Sequence, residues 1–337
     1  MDTDTNPVEI CDLRNGRIVF SSEFPNFDPV QKQFVVSVTD SAGIAHEINS
    51  TSAGRALHFS LPGEVLPIRS FHITDRARDA AVFSATNLFP ATNREFETQF
   101  KSQRDRNGDP RVDFFVADQI FTHFRGEEGY RVSAAVVAAY KGVELLDETY
   151  LEDAEKMLLR SLSALPNVNM ARSARNNREH LHISVLCVLY HVYLARGNAG
   201  EFLRTLQVLR SLLENASFKS YYNLAYNSAL SLRLLTLLQL LSGQHSDARA
   251  IATLSFDVFK LAARDADENL SHFKELRYVH DNTYESMRIA RRLGEVTESL
   301  IEKTLRGCLR VSADRHPQSF KIMRETFLHS SKIQTLD

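Results

Sequence analysis

Asp105-Arg106-Asn107-Gly108-Asp109-Pro110-Arg111-Val112-Asp113 is the segment whose residue types come nearest to a metal site. Oxygen-bearing side chains stand at positions one, three, five and nine of a polar turn. Calcium requires that density of hard ligands. Position six, however, is Pro110 instead of glycine, and position twelve is Val116 instead of an acidic residue. Without the bidentate closing ligand the site binds weakly. A polar turn capping a helix that starts near Val112 accounts for the same residues, and this is the reading we favour.

Other chemistry-bearing residues are weighed in the same way. His180 and His182 flank Leu181 in a helical stretch. Their side chains diverge by about 200° on a helix and cannot share a metal, and His191 lies about 16 Å further along. Arg172, Arg175 and Arg178 recur every third residue ahead of a helix expected from near Glu179. On a continuing helix they form one basic stripe suited to phosphate or to an acidic partner segment. On a loop they are ordinary solvated arginines. Asp265, Asp267 and Glu268 are an acidic cluster that either does acid–base work in a cleft or complements a helix dipole. The chain has no GxSxG elbow, no P-loop and no GxGxxG following a strand. The sequence therefore leans away from an enzyme and predicts neither a cofactor nor a metal site.

Composition narrows the class further. The 337 residues are 43% hydrophobic and 24% charged, with a formal net charge of -2. That is the make-up of a globular protein with a sizeable core. The balance of charge argues against nucleic acid, whose binding needs many uncompensated cations. It argues equally against an anionic membrane surface. The three cysteines, Cys11, Cys187 and Cys308, are odd in number and far apart, so neither a disulfide framework nor a zinc site is expected. The first residues lack the basic and apolar regions of a signal peptide. Leu230 to Leu241, the longest apolar stretch, is interrupted by Arg233, Thr236 and Gln239. It falls short of the roughly 20 residues that cross a bilayer and reads as a largely buried helix. The expected location is the cytoplasm.

The elements that position these residues change period near residue 75. From Val8 to Thr74 the pattern alternates, with strands at 8–11, 17–20, 34–38, 44–48, 56–61 and 68–73. Asn15-Gly16 and Asp40-Ser41-Ala42-Gly43 mark two hairpin turns. Six short strands of this kind predict a small antiparallel β-sandwich-like domain over 7–75. Ala80-Ala81-Val82-Phe83 reads as the start of a helix that stops before Pro90. Residues 76–129 form a mixed, mostly helical connector, and 130–330 are helical. The fold class is α+β, multidomain.

Within the helical part, Gly197, Gly243 and Gly294 each follow a long helix and precede an amphipathic one. Glycine suits the left-handed position just past a helix end. Leu203, Leu206, Leu209 and Leu213 line the face of the first following helix. Ile251, Leu254, Val258 and Leu261 line that of the second, and Leu300, Ile301, Leu305 and Leu309 that of the third. With Tyr222-Asn223-Leu224-Ala225-Tyr226, which resembles the opening of a repeat's first helix, these units resemble divergent tetratricopeptide-like hairpins of an α-solenoid. The glycines are spaced more widely than that family's period of about 34 residues, and its Trp and Pro landmarks are missing. An irregular helical bundle with coincident glycine caps is the alternative. The resemblance implies a groove lined by asparagine and basic residues. Asn177 and Asn223 each precede a repeat glycine by the same interval, and Lys274 takes that place in the third unit. By the resemblance they would clamp the backbone or carboxylate of a bound peptide. Otherwise they are polar residues near helix starts.

The function expected is a non-enzymatic scaffold, binding a protein or peptide partner on the helical array, with the β domain as a cap or second docking module. The alternative is a glycan-related protein in polysaccharide assembly, with a carbohydrate-binding sandwich offering Phe20, Phe24, Phe27 and Phe34 as a platform.

Overall fold

Gly16 fixes the first hairpin. It has φ of +60°, and a Cβ there would lie 1.7 Å from the Phe59 carbonyl oxygen. Phe59 N–H donates to the Gly16 carbonyl at 2.8 Å, so only glycine permits this approach. The Asp12 carboxylate closes the turn by accepting from the Asn15 backbone N–H at 3.0 Å and Nδ2 at 2.9 Å. The strands on either side, β1 (Val8–Asp12) and β2 (Arg17–Phe20), pair antiparallel. The computed structural model describes residues 8–22, 34–76, 80–104, 109–168, 178–215, 222–266, 284–290, 295–309 and 316–333.

The second predicted turn joins β3 (Phe34–Asp40) to β4 (Ala45–Ile48). Asp40 Oδ1 accepts from the Ala42 and Ile44 N–H groups, both at 2.9 Å, and Gly43 takes φ of +86°. His46 Nε2 lies 2.8 Å from Asp40 Oδ2. That bond, first, and the backbone bond from Ile44 hold the Asp40 carboxyl below its usual value.

Four further strands are β5 (Ser50–Ala53), β6 (Ala56–Phe59), β7 (Ile68–Asp75) and β8 (Ala80–Thr86). They complete two four-stranded sheets, ordered β1-β2-β6-β5 and β4-β3-β7-β8. The pairings are antiparallel throughout. Inward residues from both sheets meet: Phe20 stacks on Phe34 at 5.2 Å, and Phe59 meets Phe71 at 5.1 Å with the rings tilted. Ile18, Phe20, Val36, Phe71 and Ile73 are fully buried, each contributing about 1.5–3 kcal/mol by leaving water. The expected β-sandwich is what these residues build.

One expectation is corrected here, and one strand had not been expected. Ala80 to Phe83 is not helical: it lies in β8, which pairs with β7 and places Phe83 edge-on to Phe71 at 6.1 Å. The open edge of β7 and a pocket for Phe83 outweigh the helix propensity of two alanines. β5, Ser-Thr-Ser-Ala, escapes the reading because it has no large apolar residue to alternate. Its register comes from its partner β6.

Three helices follow: α1 (Asn93–Arg104), α2 (Pro110–His123) and α3 (Glu128–Leu145). α1 begins at a capping exchange, Thr92 Oγ1 accepting from Glu95 N–H at 3.2 Å and Glu95 Oε2 from Ala91 N–H at 2.7 Å. α2 begins as a capped helix, with Asp109 accepting from Arg111 N–H at 2.9 Å and Pro110 in the first turn. Buried Gln119 of α2 accepts from Ile68 N–H at 2.7 Å and donates to the Leu88 carbonyl at 3.1 Å. It satisfies two backbone groups that the sandwich leaves unpaired. The chain divides into two compact units, Met1–Lys141 and Gly142–Asp337, so the division falls within α3.

The second unit is helical: α4 (Glu148–Ala164), α5 (Arg178–Ala195), α6 (Ala199–Asn215), α7 (Tyr222–Leu241), α8 (His245–Ala266), α9 (Glu298–Leu309) and α10 (Pro317–Ile333), with a short helical segment at 284–290. α5 is apolar nearly all round and buried from Val185 to Ala195. α7 is buried from Ser228 to Leu240, and even its interruptions Arg233, Thr236 and Gln239 are inside. Two hairpins, α5–α6 and α7–α8, close with the same turn. Gly197 and Gly243 have φ of +80° and +76°. Asn198 N–H reaches the Tyr193 carbonyl and Gln244 N–H the Gln239 carbonyl, each at 2.9 Å. These are Schellman caps at two of the predicted glycines. Gly294 lies outside the described residues.

α10 crosses both hairpin turns. Ser330 Oγ donates to the Ala199 carbonyl at 3.2 Å, Ser242 Oγ to the Ser331 carbonyl at 2.9 Å, and Phe327 packs near Phe202 at 6.5 Å. An open solenoid brings each repeat only against its neighbours. Here a helix distant in sequence ties the two hairpins together.

Candidate functional site

The site with the most developed geometry lies between the two hairpins. On α6, Leu203, Leu206, Leu209 and Leu213 are buried, which turns Gln207, Arg210, Ser211 and Glu214 to the opposite side at helical spacing. The Gly243 cap then sets Gln239, in the last turn of α7, close to Gln244 and to Asp247 in the first turn of α8. These seven residues line a cleft of about 360 Å³.

Arg210 organises its charges. Nη1 and Nη2 donate to Asp247 Oδ2 and Oδ1 at 2.7 and 2.8 Å, and Nε donates to Glu214 Oε1 at 2.8 Å. The hydrogen bond to Asp247, first, keeps the guanidinium well protonated. Asp247 gains further from the N-terminus of α8. One cation against two carboxylates leaves the lining with one net negative charge. Gln239 is 4% exposed, and its Oε1 has no hydrogen-bond partner among the described residues. A buried amide oxygen left so costs about 1–3 kcal/mol. Ser211, the hydroxyl of the lining, has no histidine beside it there. The arrangement is equipped to bind, through three amides, a hydroxyl and two carboxylates.

The site residues expected from sequence fall elsewhere. Arg172, Arg175, Asn177 and Lys274 lie outside the described residues, and Asn223 sits in the first turn of α7. Arg178 opens α5, and its Nη2 donates to the Pro166 and Val168 carbonyls at 2.9 and 3.3 Å. There it holds the chain leaving α4. Of the polar turn, residues 105–108 lie outside the described ones. Asp109 Oδ2 accepts from Cys11 N–H at 3.1 Å, and Asp113 pairs with Lys141 at 3.3 Å. Both carboxylates are thus engaged in capping and pairing. Asp267 and Glu268 also lie outside the described residues.

The histidines are core residues of one helix. His180 and His191 are buried, and burial lowers the pKa of half-buried His182. Among the described residues no three His, Cys, Asp or Glu side chains converge as a metal site would require. Cys187, expected in the core, is buried, and its thiol is pushed up to about 12 by burial. No helix among the described residues is long and apolar enough to cross a membrane.

A serine and a histidine do meet on the sandwich, His72 Nδ1 and Ser84 Oγ at 2.9 Å. They are cross-strand neighbours on β7 and β8, in line with Ser37 and Glu47 across the sheet. This face is open, and its backbone N–H groups serve the strand ladder, so it offers no oxyanion donors. Of the aromatic platform, Phe20 is fully buried with Phe34 stacked on it, and Phe24 and Phe27 lie outside the described residues.

Sequence reasoning missed Gln239, which looked like one more interruption in an apolar run. The available signal was its position, bracketing the cap glycine together with Gln244. It also missed Arg233, the largest fully buried side chain among the described residues. Its Nε donates to Ser286 Oγ at 3.2 Å and its Nη2 to Thr304 Oγ1 at 2.5 Å, joining α7 to the 284–290 segment and α9.

In comparisons with known proteins, no family model, no curated protein and no solved structure matches the chain.

Proposed function

We propose that the protein is a non-enzymatic interaction protein, whose helical unit receives an extended segment of a protein partner in the cleft between α6 and the α7–α8 turn. The observation that carries this reading is the cleft of about 360 Å³ whose lining brings together three amide side chains, Gln207, Gln239 and Gln244. A peptide backbone presents N–H and C=O groups at regular intervals, and amide side chains can meet both. Gln207 and Gln244 stand beside Gln239 with the same capacity. The paired hairpins with identical glycine caps support a divergent tetratricopeptide-like array. α10 makes it a closed one. In this reading the β-sandwich is a second docking module. A cytoplasmic setting accords with the free thiols of Cys11 and Cys187.

The test is selection of peptides from a random display library by the full chain. The reading expects a consensus whose affinity falls by about tenfold or more in Gln239→Leu and in Gln207→Ala. Gln207 is exposed on α6, so its truncation spares the fold. No consensus, or one bound equally by both variants, would overturn it.

A further inference from the structure

We infer that α10 is a displaceable strap: the surface it covers on α5, α6 and α7 is a docking groove for an amphipathic helix, held by α10 in the free chain and open to a partner helix with the same anchor spacing. The inference goes beyond the cleft reading and does not depend on it.

α10 lies on the helical unit as a bound helix lies in a groove. Its large buried side chains are Phe320, Met323 and Phe327, three and four residues apart on one face, and it packs against α5, α6 and α7. That is the anchor spacing by which helices dock into apolar grooves. Lys321, Glu325, His329 and Lys332 are exposed on the other side. Phe327 meets Phe202 of α6, itself fully buried, at 6.5 Å.

The hold is light beside that of the helices underneath. Six of the 17 residues of α10 are buried, and three of those are Thr326, Ser330 and Ser331. α5 buries fourteen of its 18, most of them apolar. The hydroxyls also bond within α10 itself. Thr326 Oγ1 donates to the Ile322 carbonyl at 2.7 Å, and Ser330 Oγ reaches the Thr326 carbonyl at 2.8 Å as well as the Ala199 carbonyl. Each keeps a partner when the helix departs. The ion pair of Arg324 with Glu298 of α9 is at the surface, where solvent weakens it. Less apolar surface is exposed by releasing α10 than by releasing α5 or α7, so α10 opens first. A partner helix with large apolar residues at the three anchor positions then competes for the vacated groove.

The experiment uses the full chain and a fluorescent peptide of the α10 sequence, residues 317–333. By anisotropy, the peptide should bind about tenfold or more tighter to the Phe327→Ala chain than to the unaltered one, because a weakened strap leaves the groove open more of the time. The same substitution in the peptide should abolish binding. Hydrogen exchange should show the α10 amides opening while those of α5 and α7 stay protected, in both chains. Equal binding to the two chains, or binding to neither, would overturn the strap. So would loss of protection in α5 and α7 together with α10, since α10 would then belong to the core. Each of these outcomes leaves the cleft reading standing.

Discussion

Arg210 and Asp247 form a two-point ion pair between successive hairpins, with nitrogen–oxygen distances of 2.7 and 2.8 Å. The planar guanidinium matches the carboxylate at both oxygens, so the pair fixes orientation as well as distance. The side chains are 24% and 36% exposed, and solvent screening limits the gain. We expect a double-mutant cycle of Arg210→Ala and Asp247→Ala, read by urea denaturation, to give a coupling of about 0.5–1 kcal/mol. It should shrink in high salt. A coupling of zero would mean that apolar packing alone registers the hairpins and that the cleft walls are free to drift.

The two kinds of glycine turn should respond differently to a methyl group. At Gly243 φ is +76° but nothing lies within 4 Å of an added Cβ. Gly243→Ala should therefore cost only the left-handed backbone penalty, about 1–2 kcal/mol. At Gly16 the Cβ would meet the Phe59 carbonyl oxygen at 1.7 Å. Gly16→Ala must displace β6 or break the hairpin, and the sandwich should lose its cooperative unfolding. Equal costs in the two variants would show that the approach of Gly16 to Phe59 is not needed.

Acid should loosen the β3–β4 turn through Asp40. Its carboxyl is held below the ordinary value of 3.8, first by the hydrogen bond from His46 and then by that from the Ile44 N–H. A depressed folded value means that the stabilisation is complete above the unfolded pKa and is lost as pH falls through the folded one. The amide signals of Ala42 and Ile44 should therefore titrate with a midpoint below 3.8. Asp40→Asn should remove that titration. A midpoint at or above the ordinary value would contradict the bonding described.

Local chemistry was readable from the sequence wherever one or two residues decide a conformation. Asn15-Gly16, the Asp40–Gly43 turn, the Asp109 cap and the glycines at 197 and 243 all act within a few bonds of themselves. β8 was not readable, because Ala80 to Phe83 becomes a strand only when β7 offers an edge and Phe71 a partner. β5 depends in the same way on β6. The cleft was the least legible part. Gln239 looks like an interruption of an apolar helix until α6 supplies Gln207, Arg210, Ser211 and Glu214 from another stretch of chain, and burial of its amide is a property of the packing. The return of α10 over both hairpins rests on contacts such as Ser330 with Ala199, which no local pattern announces.

The central claim is that a partner segment enters the cleft between α6 and the α7–α8 turn, and site-specific photocrosslinking tests it most directly. A photoreactive residue placed at exposed Ser211, on the cleft wall, should crosslink to the selected peptide. The same residue at Thr253, exposed on α8 outside the lining, should not. Crosslinking at Thr253 as strong as at Ser211, or at neither position with peptide saturating, would contradict the account.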